Sequence, residues 1–296
     1  MLLLLACSAD PSGGVVPDAE PPVETLFRFV VIADPHVTAP DSDNLARLDR
    51  AVDWIEDKAE RRKLRLVLVV GDIGWDEGLG PARASLDRLT IPWIPINGDN
   101  EVQLGAEEAY DLAFADHYAD LADTLESWEA GPVRVENPEV GVTSWFHNVA
   151  FTYEGLRFVG LDWASRVIDF LEGEMGELHD FEGGTWPFFE AQIADAADGP
   201  EERIVLFSHI PMHLSPGGFD LDQLARVAAV TAPVADHVWA DLAGHYHASA
   251  SETVDDAGYD LHITDATWDD TVELRIVEVR GNGERFAPVT ELVVVP

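Results

Sequence analysis

Five apolar runs in this chain each stop at a side chain able to bind a metal, and that pattern restricts the fold more than any other feature. Residues 27–33 give way to Asp34-Pro35-His36, Leu64–Val70 to Gly71-Asp72, and residues 91–96 to Asn97-Gly98-Asp99-Asn100-Glu101. Residues 203–207 end in Ser208-His209, and residues 234–242 lead into Gly244-His245-Tyr246-His247. The runs are short and rich in β-branched and aromatic types, so they read as buried strands. Pro35 cannot continue a central strand, and the chain must leave the sheet there carrying a carboxylate and an imidazole one residue apart.

Between the first two runs, Asp41-Ser42-Asp43 can cap a helix in which Leu45, Leu48, Val52 and Ile55 recur at three and four, and Arg61-Arg62-Lys63 suits its C-terminus. Strand, helix, strand in that order implies parallel neighbours joined by a right-handed crossover. Parallel neighbours have their carboxyl ends on one edge, which would bring Asp34, His36, Asp72 and Asp99 together. Helical spacing returns over residues 81–89, 106–125 and 186–197. Glu154-Gly155 reads as a hairpin turn between apolar segments 144–153 and 156–162. Residues 166–184, dense in acids and glycines, read as an exposed loop. Residues 259–295 alternate short apolar strands with Gly and Asp turns, predicting a second, mostly antiparallel sheet packed on the first. No Pro- or Ser-rich linker interrupts residues 26–296, which read as one domain.

The N-terminal segment is different in kind. Leu4-Leu5-Ala6-Cys7 resembles the lipobox of bacterial lipoproteins, and residues 8–22, rich in Ser, Gly, Pro, Asp and Glu, look like a disordered tether. Residues 1–25 are therefore expected to be a truncated lipoprotein-type signal and tether, placing the domain in the periplasm or at the cell surface, with membrane contact only through a lipid on Cys7. The formal net charge of −38, from 56 acidic against 18 basic residues, argues against nucleic acid as a partner. Lys58 and Lys63 are the only lysines, and an acidic, lysine-poor surface suits high salt, where screening weakens self-repulsion.

With Cys7 the only cysteine, neither an internal disulfide nor a cysteine-built zinc site is available, and a metal must be held by His, Asp, Glu or Asn. Carboxylates mixed with imidazoles suit divalent transition metals such as Mn, Fe and Zn. The ordered blocks Asp34-x-His36, Gly71-Asp72, Gly98-Asp99-Asn100-Glu101, His209 and Gly244-His245-x-His247 resemble those of the calcineurin-like metallophosphoesterase superfamily, which run D-x-H, G-D, G-N-H-(D/E), H and G-H-x-H. The resemblance spans about residues 28–250. It implies an α/β fold, a four-layer αββα sandwich of two mixed β-sheets flanked by helices, with a dinuclear metal site at the strand ends. Asp34, His36 and His247 would hold the first divalent ion and Asp99, His209 and His245 the second, with Asp72 bridging. The implied reaction is attack of a metal-bridging hydroxide on a phosphomonoester or phosphodiester of a small molecule.

One block departs from the family. In Gly98-Asp99-Asn100-Glu101 a carboxylate stands where the usual amide ligand is, and Asn100 stands where the family commonly has a histidine that protonates the leaving group. A one-residue slip would instead make Asn100 the ligand and leave Asp99 behind it. Asparagine can hydrogen-bond a phosphate oxygen but cannot act as a general acid. His213, four residues beyond His209, is a candidate substitute acid, and a substrate with a good leaving group would need none. The other reading of Asn100 is a catalytically weak, metal-containing protein that binds a phosphorylated ligand. His117, His147, His179, His237 and His262 match no block and read as structural.

Overall fold

The computed structural model describes residues 24–103, 106–167, 175–198, 203–213, 217–268, 271–281 and 286–296. Cys7 and most of the expected tether lie outside the described residues, while Glu24 and Thr25, assigned above to that tether, already belong to the first strand.

The chain runs β1 (Glu24–Ile32), α1 (Asp43–Arg62), β2 (Leu64–Val70), α2 (Leu79–Leu86), β3 (Trp93–Ile96), α3 (Asp99–Val102) and α4 (Glu107–Thr124). It continues through β4 (Glu126–Ala130), β5 (Arg134–Asn137), β6 (Val142–Trp145), β7 (Val149–Tyr153), β8 (Leu156–Leu161), α5 (Thr185–Asp198) and β9 (Arg203–Ser208). The last elements are α6 (Leu221–Thr231), β10 (Val238–Ala243), β11 (Ala250–Val254), β12 (Tyr259–Ile263), β13 (Glu273–Gly281) and β14 (Phe286–Val294). The strands assemble into one sheet of order β14-β13-β1-β2-β3, a second of order β11-β12-β10-β9-β8-β7-β4, and a small β5-β6 hairpin.

The pleat of β1 explains the layering. Alternate residues point to opposite faces. Val30 and Ile32, with Val67 and Val69 of β2, pack on Leu48, Val52 and Ile55 of α1. Phe29 and Val31, with Leu66 and Leu68, pack on Phe158, Val205, Phe207 and Leu242 of the second sheet. Phe29 and Phe158 meet edge-on across the layers, centroids 5.3 Å apart. The far face of the second sheet, carrying Val159, Leu161, Ile204 and Leu206, is covered by Phe189 and Ile193 of α5 and Val227 of α6. Helix, sheet, sheet, helix is the resulting order, and residues 29–32, 66–70 and 204–207 of the inner strands are apolar on both faces because both are buried.

Local signals are honoured closely. Ser42 caps α1 by accepting the N–H of Leu45, and Lys63 closes it in the left-handed region at φ 57°. Glu154 (φ 48°) and Gly155 (φ 82°) make the two-residue turn that pairs Tyr153 with Leu156.

Two expectations are corrected. Residues 259–295 do not form their own sheet: β12 joins the second sheet parallel to β10, while β13 and β14 extend the first, with β13 antiparallel to β1. Thus β13 covers the edge of β1 that β2 leaves free, satisfying backbone groups that a separate sheet would have left unpaired. Nor is the stretch at 166–184 simply an exposed loop, since Arg166, Leu178 and His179 are buried; its residues 168–174 lie outside the described residues.

Candidate metal centre

Asp34 and His36 follow β1, Asp72 follows β2 and Asp99 follows β3, whereas His209 follows β9 and His245 and His247 follow β10. The first sheet therefore contributes three carboxylates and one imidazole, and the second contributes three imidazoles. The exit turns are tied to one another through backbone bonds: the His36 N–H donates to the Asp72 carbonyl at 2.8 Å, and the Gly244 N–H to the His209 carbonyl at 3.2 Å. Asp34, His36, Asp72, His245 and His247 all have φ between 48° and 71°, half of the ten such non-glycine residues among those described. Asp and His tolerate this left-handed region better than most residues, and such conformations cluster where side chains must be aimed.

Glycines let the turns close. A Cβ on Gly98 would stand 2.2 Å from Oδ1 of Asp72, and one on Gly244 would stand 2.5 Å from Oδ2 of Asp34. The glycine that precedes a candidate ligand in one block thus makes room for the carboxylate of another.

Among the described residues, potential ligand atoms gather in three sets, each within 4.8 Å: Asp34, His36 and His247; Asp99, His209 and His245; and Asp34, Asp72 and His209. In the first set, Oδ1 of Asp34 is 3.3 Å from Nε2 of His247 and 3.7 Å from Nε2 of His36. In the second, Oδ1 of Asp99 is 2.8 Å from Nε2 of His209 and 3.2 Å from Nδ1 of His245. Asp72 lies between them, its Oδ2 3.1 Å from Nε2 of His36 and its Oδ1 3.4 Å from Nε2 of His209. Nδ1 of His209 is engaged by the Val70 carbonyl at 3.0 Å, which turns Nε2 toward the carboxylates.

The electrostatics follow from crowding acids and imidazoles out of water. Burial alone would raise the pKa of Asp34, but the charge of His209 and hydrogen bonds with His247 and His36 hold it well below the usual range. For Asp99 burial is likewise outweighed, by hydrogen bonds and charge from His209 and His245. Burial would lower His36, yet its bonds to Asp34 and Asp72 raise it to about 9, and His209 is raised well above its ordinary value by Asp72, Asp34 and Asp99. In this state, protons on imidazoles offset the carboxylate charge. Divalent cations would offset it in their place, and the donors fit them: two mixed oxygen and nitrogen sets with a carboxylate between them.

Three supporting residues escaped the sequence reading of roles. Glu101 is fully enclosed and accepts the N–H groups of Asp72 at 3.0 Å, Gly74 at 2.9 Å and Gly98 at 2.6 Å. Burial, then the Asp72 charge, pushes its pKa up to about 8 against those bonds. Its fixed place at the end of the Gly98 block was the available signal. Gln103 donates to Oδ2 of Asp99 at 3.1 Å, and Asn44 donates to the His36 carbonyl at 2.7 Å; neither carries a motif. Asn100 is turned onto Asp72, with its N–H on Oδ1 at 3.0 Å and its side-chain amide on Oδ2. His213 is paired through Nε2 with Glu252 of β11 at 2.6 Å and belongs to none of the three sets.

The family model described as calcineurin-like phosphoesterase matches residues 27–249, three quarters of the chain and every block above. The chain belongs to the calcineurin-like phosphoesterase family. It is accordingly a metallophosphoesterase, a hydrolase of a family that uses divalent metals. Among solved structures, this phosphoesterase resembles GAP50, the anchor in the inner membrane complex of Plasmodium, at 12% identity and a TM-score of 0.52, covering 92% of this chain and 85% of that one. It also resembles a putative 5'-nucleotidase from Staphylococcus aureus at 15% identity and a TM-score of 0.52, covering 91% of this chain and 54% of that one. A third likeness is the sulfate thiohydrolase SoxB of Thermus thermophilus, at 13% identity and a TM-score of 0.52, covering 93% of this chain and 57% of that one. This phosphoesterase spans little more than half the length of the last two, and at these identities the likeness shows the fold alone. A comparison with curated proteins found no match.

Proposed function

We propose that this phosphoesterase is dinuclear and hydrolyses a phosphomonoester or phosphodiester of a small molecule. The observation that carries the reading is Asp72, whose two oxygens face His36 of one ligand set at 3.1 Å and His209 of the other at 3.4 Å. Asp34, His36 and His247 would hold one divalent ion and Asp99, His209 and His245 the other, with Asp72 shared. Asp99 is favoured over Asn100 as the ligand, because Asp99 faces both imidazoles of its set while the Asn100 amide is turned to Asp72. Two cations held there would polarise a phosphoryl oxygen and lower the pKa of a water molecule.

The chain's own residues do the positioning. Glu101 anchors the Asp72 turn through its N–H, and Asn100 orients the Asp72 carboxylate from the opposite end. With Asn100 so engaged and His213 paired to Glu252, no residue here is assigned the proton for the leaving group, which supports substrates with acidic leaving groups, such as aryl esters or phosphoanhydrides. The same engagement of Asn100 supports the second reading, a slow member that chiefly binds its phosphorylated ligand.

The surface charge speaks for a small substrate rather than nucleic acid, and the Leu4–Cys7 motif for a periplasmic or cell-surface, lipid-anchored protein. Among the described residues, no helix is long and apolar enough to cross a membrane. Metal-loaded protein should release p-nitrophenol from the mono- or bis-phosphate ester, and Asp72→Asn should abolish that release. Failure to turn over either ester or a panel of nucleotides, with both metals bound, would overturn the hydrolytic reading; tight binding of the panel without turnover would select the second one.

A further inference from the structure

Beyond β12 the chain returns to the metal centre. The N–H of Thr267 and its Oγ1 both bond the Ala33 carbonyl, at 2.9 and 2.6 Å, and Ala266 forms a bridge with Ala33. These bonds fix the segment against the end of β1, immediately before Asp34. The next residue is Trp268. Its indole stacks on the His36 ring, centroids 5.5 Å apart and planes 29° apart, and meets the His247 ring edge-on at 5.3 Å. Trp75 also meets His36 edge-on, at 5.3 Å. Within this packing Nε1 of Trp268 is buried and has no hydrogen-bond partner among the described residues.

An indole N–H can donate and cannot accept, so the missing partner is an acceptor. A buried donor left unpaired is destabilising, and such groups in native structures call for an explanation. The Asp34 and Asp72 carboxylates nearby are already met by imidazoles and backbone N–H groups. An acceptor that arrives with the substrate resolves the deficit. The Asn100 amide, the donor that its block offers, is turned to Asp72, which leaves a phosphoryl group in need of another.

We propose that Trp268 is a phosphoryl-binding residue, its indole N–H donating to a non-bridging oxygen of the phosphoryl group at the Asp34, His36 and His247 end of the centre. The inference rests on the phosphoesterase reading above. The ring is held by its contacts with His36 and His247 and by the Thr267 bonds, which keep the donor beside the centre as charge gathers on that oxygen. Sequence offers no hint of it, because Trp268 follows the last motif by some twenty residues and becomes a neighbour of His36 only through the Ala33 pairing.

The test is binding of inorganic phosphate to zinc-loaded protein by calorimetry. Trp268→Phe keeps an aromatic ring and removes the N–H; it should retain wild-type zinc content and weaken phosphate binding by about tenfold, as expected for one hydrogen bond to a charged group. Equal phosphate affinity in the variant would overturn the role of Trp268 and leave the phosphoesterase reading intact. No phosphate binding by zinc-loaded wild type would remove both. If Trp268→Phe fails to fold or to load zinc, the wild-type 1H–15N spectrum decides: of the nine indole signals, one should move downfield on phosphate addition, and an unmoved set would overturn the proposal.

Discussion

Asn100 holds both oxygens of Asp72, its backbone N–H on Oδ1 at 3.0 Å and its side-chain amide on Oδ2. The residue that stands in the family's usual acid position is thus part of the support of the carboxylate proposed to join the two ions. Asn100→His would exchange that support for a group able to protonate a leaving group. Turnover of an alkyl phosphate should rise by about a hundredfold, the lower end of general acid catalysis, while p-nitrophenyl phosphate, which needs little protonation, should change far less. The ratio of the two rates, at equal metal content, is the measurement. An equal change in both would show that position 100 acts only through Asp72.

Gly98 is the tightest packing constraint on the centre. A Cβ there would collide with Oδ1 of Asp72 at 2.2 Å and with its backbone N at 2.4 Å, so Gly98→Ala should lower stability by roughly 1–3 kcal/mol. It should also cost metal affinity, because Asp72 must move. Gly80, exposed near the start of α2, has nothing within 4 Å of the place a Cβ would take, and Gly80→Ala should be neutral or stabilising by up to about 1 kcal/mol. Thermal melts and zinc titration of the pair compare obstruction with loss of glycine itself.

The raised pKa of His36 gives the metal-free protein a defined response to pH. Folding raises this imidazole from 6.5 to about 9, so its contribution to stability is fully present below pH 6.5 and is lost as pH rises from there through about 9. Chelated protein should melt progressively lower across that window. Metal uptake should release protons within the same window, measurable by calorimetry in buffers of different ionisation enthalpy. A melting temperature flat from pH 6.5 to 9 in the chelated protein would contradict the pairing of His36 with Asp34 and Asp72.

Arg166 anchors the wall that follows β8. Its guanidinium bonds both oxygens of Asp162, at 2.5 and 2.6 Å, and the carbonyls of Ala164 and Trp145 at 2.6 and 2.8 Å, above the Phe146 ring. Arg166→Met would leave the Asp162 carboxylate buried without its cation, at a cost of roughly 3–5 kcal/mol. Denaturant unfolding would show it as a lower midpoint with an unchanged slope. A loss below about 1 kcal/mol would mean that water reaches Asp162.

The strand ends were legible because each is written locally: β-branched runs, Pro35 as a stop, and glycines before Asp72, Asp99 and His245. The partition of those strands between two sheets was not. It is decided by pairings such as Phe29 with Val277, nearly 250 residues apart, and no local pattern encodes a partner at that distance. The buried state of Arg166 was hidden for a related reason. It opens a stretch, residues 166–184, dense in acids and glycines, and only the fold shows that Asp162 and Glu107 are waiting for its charge. Within the candidate centre, the residues in motifs could be named from sequence, whereas Asn44, Gln103 and Trp268, which support or border it, carry no motif and are brought in by tertiary contact.

The division of the centre, carboxylates from the first sheet and imidazoles chiefly from the second, sets an order of events during synthesis. When a ribosome has delivered the chain only as far as α4, Asp34, Asp72 and Asp99 exist with His36 as their sole imidazole from the blocks. An unfinished chain of this kind carries mostly oxygen donors, a set better matched to Mg or Ca than to a transition metal. The nitrogen donors arrive only with residues 209–247, and β13, which seals the free edge of β1, arrives later still. The mixed donor set that would favour a transition metal therefore belongs to the finished polypeptide, and a chain released early would carry the acids of the candidate centre without most of its imidazoles.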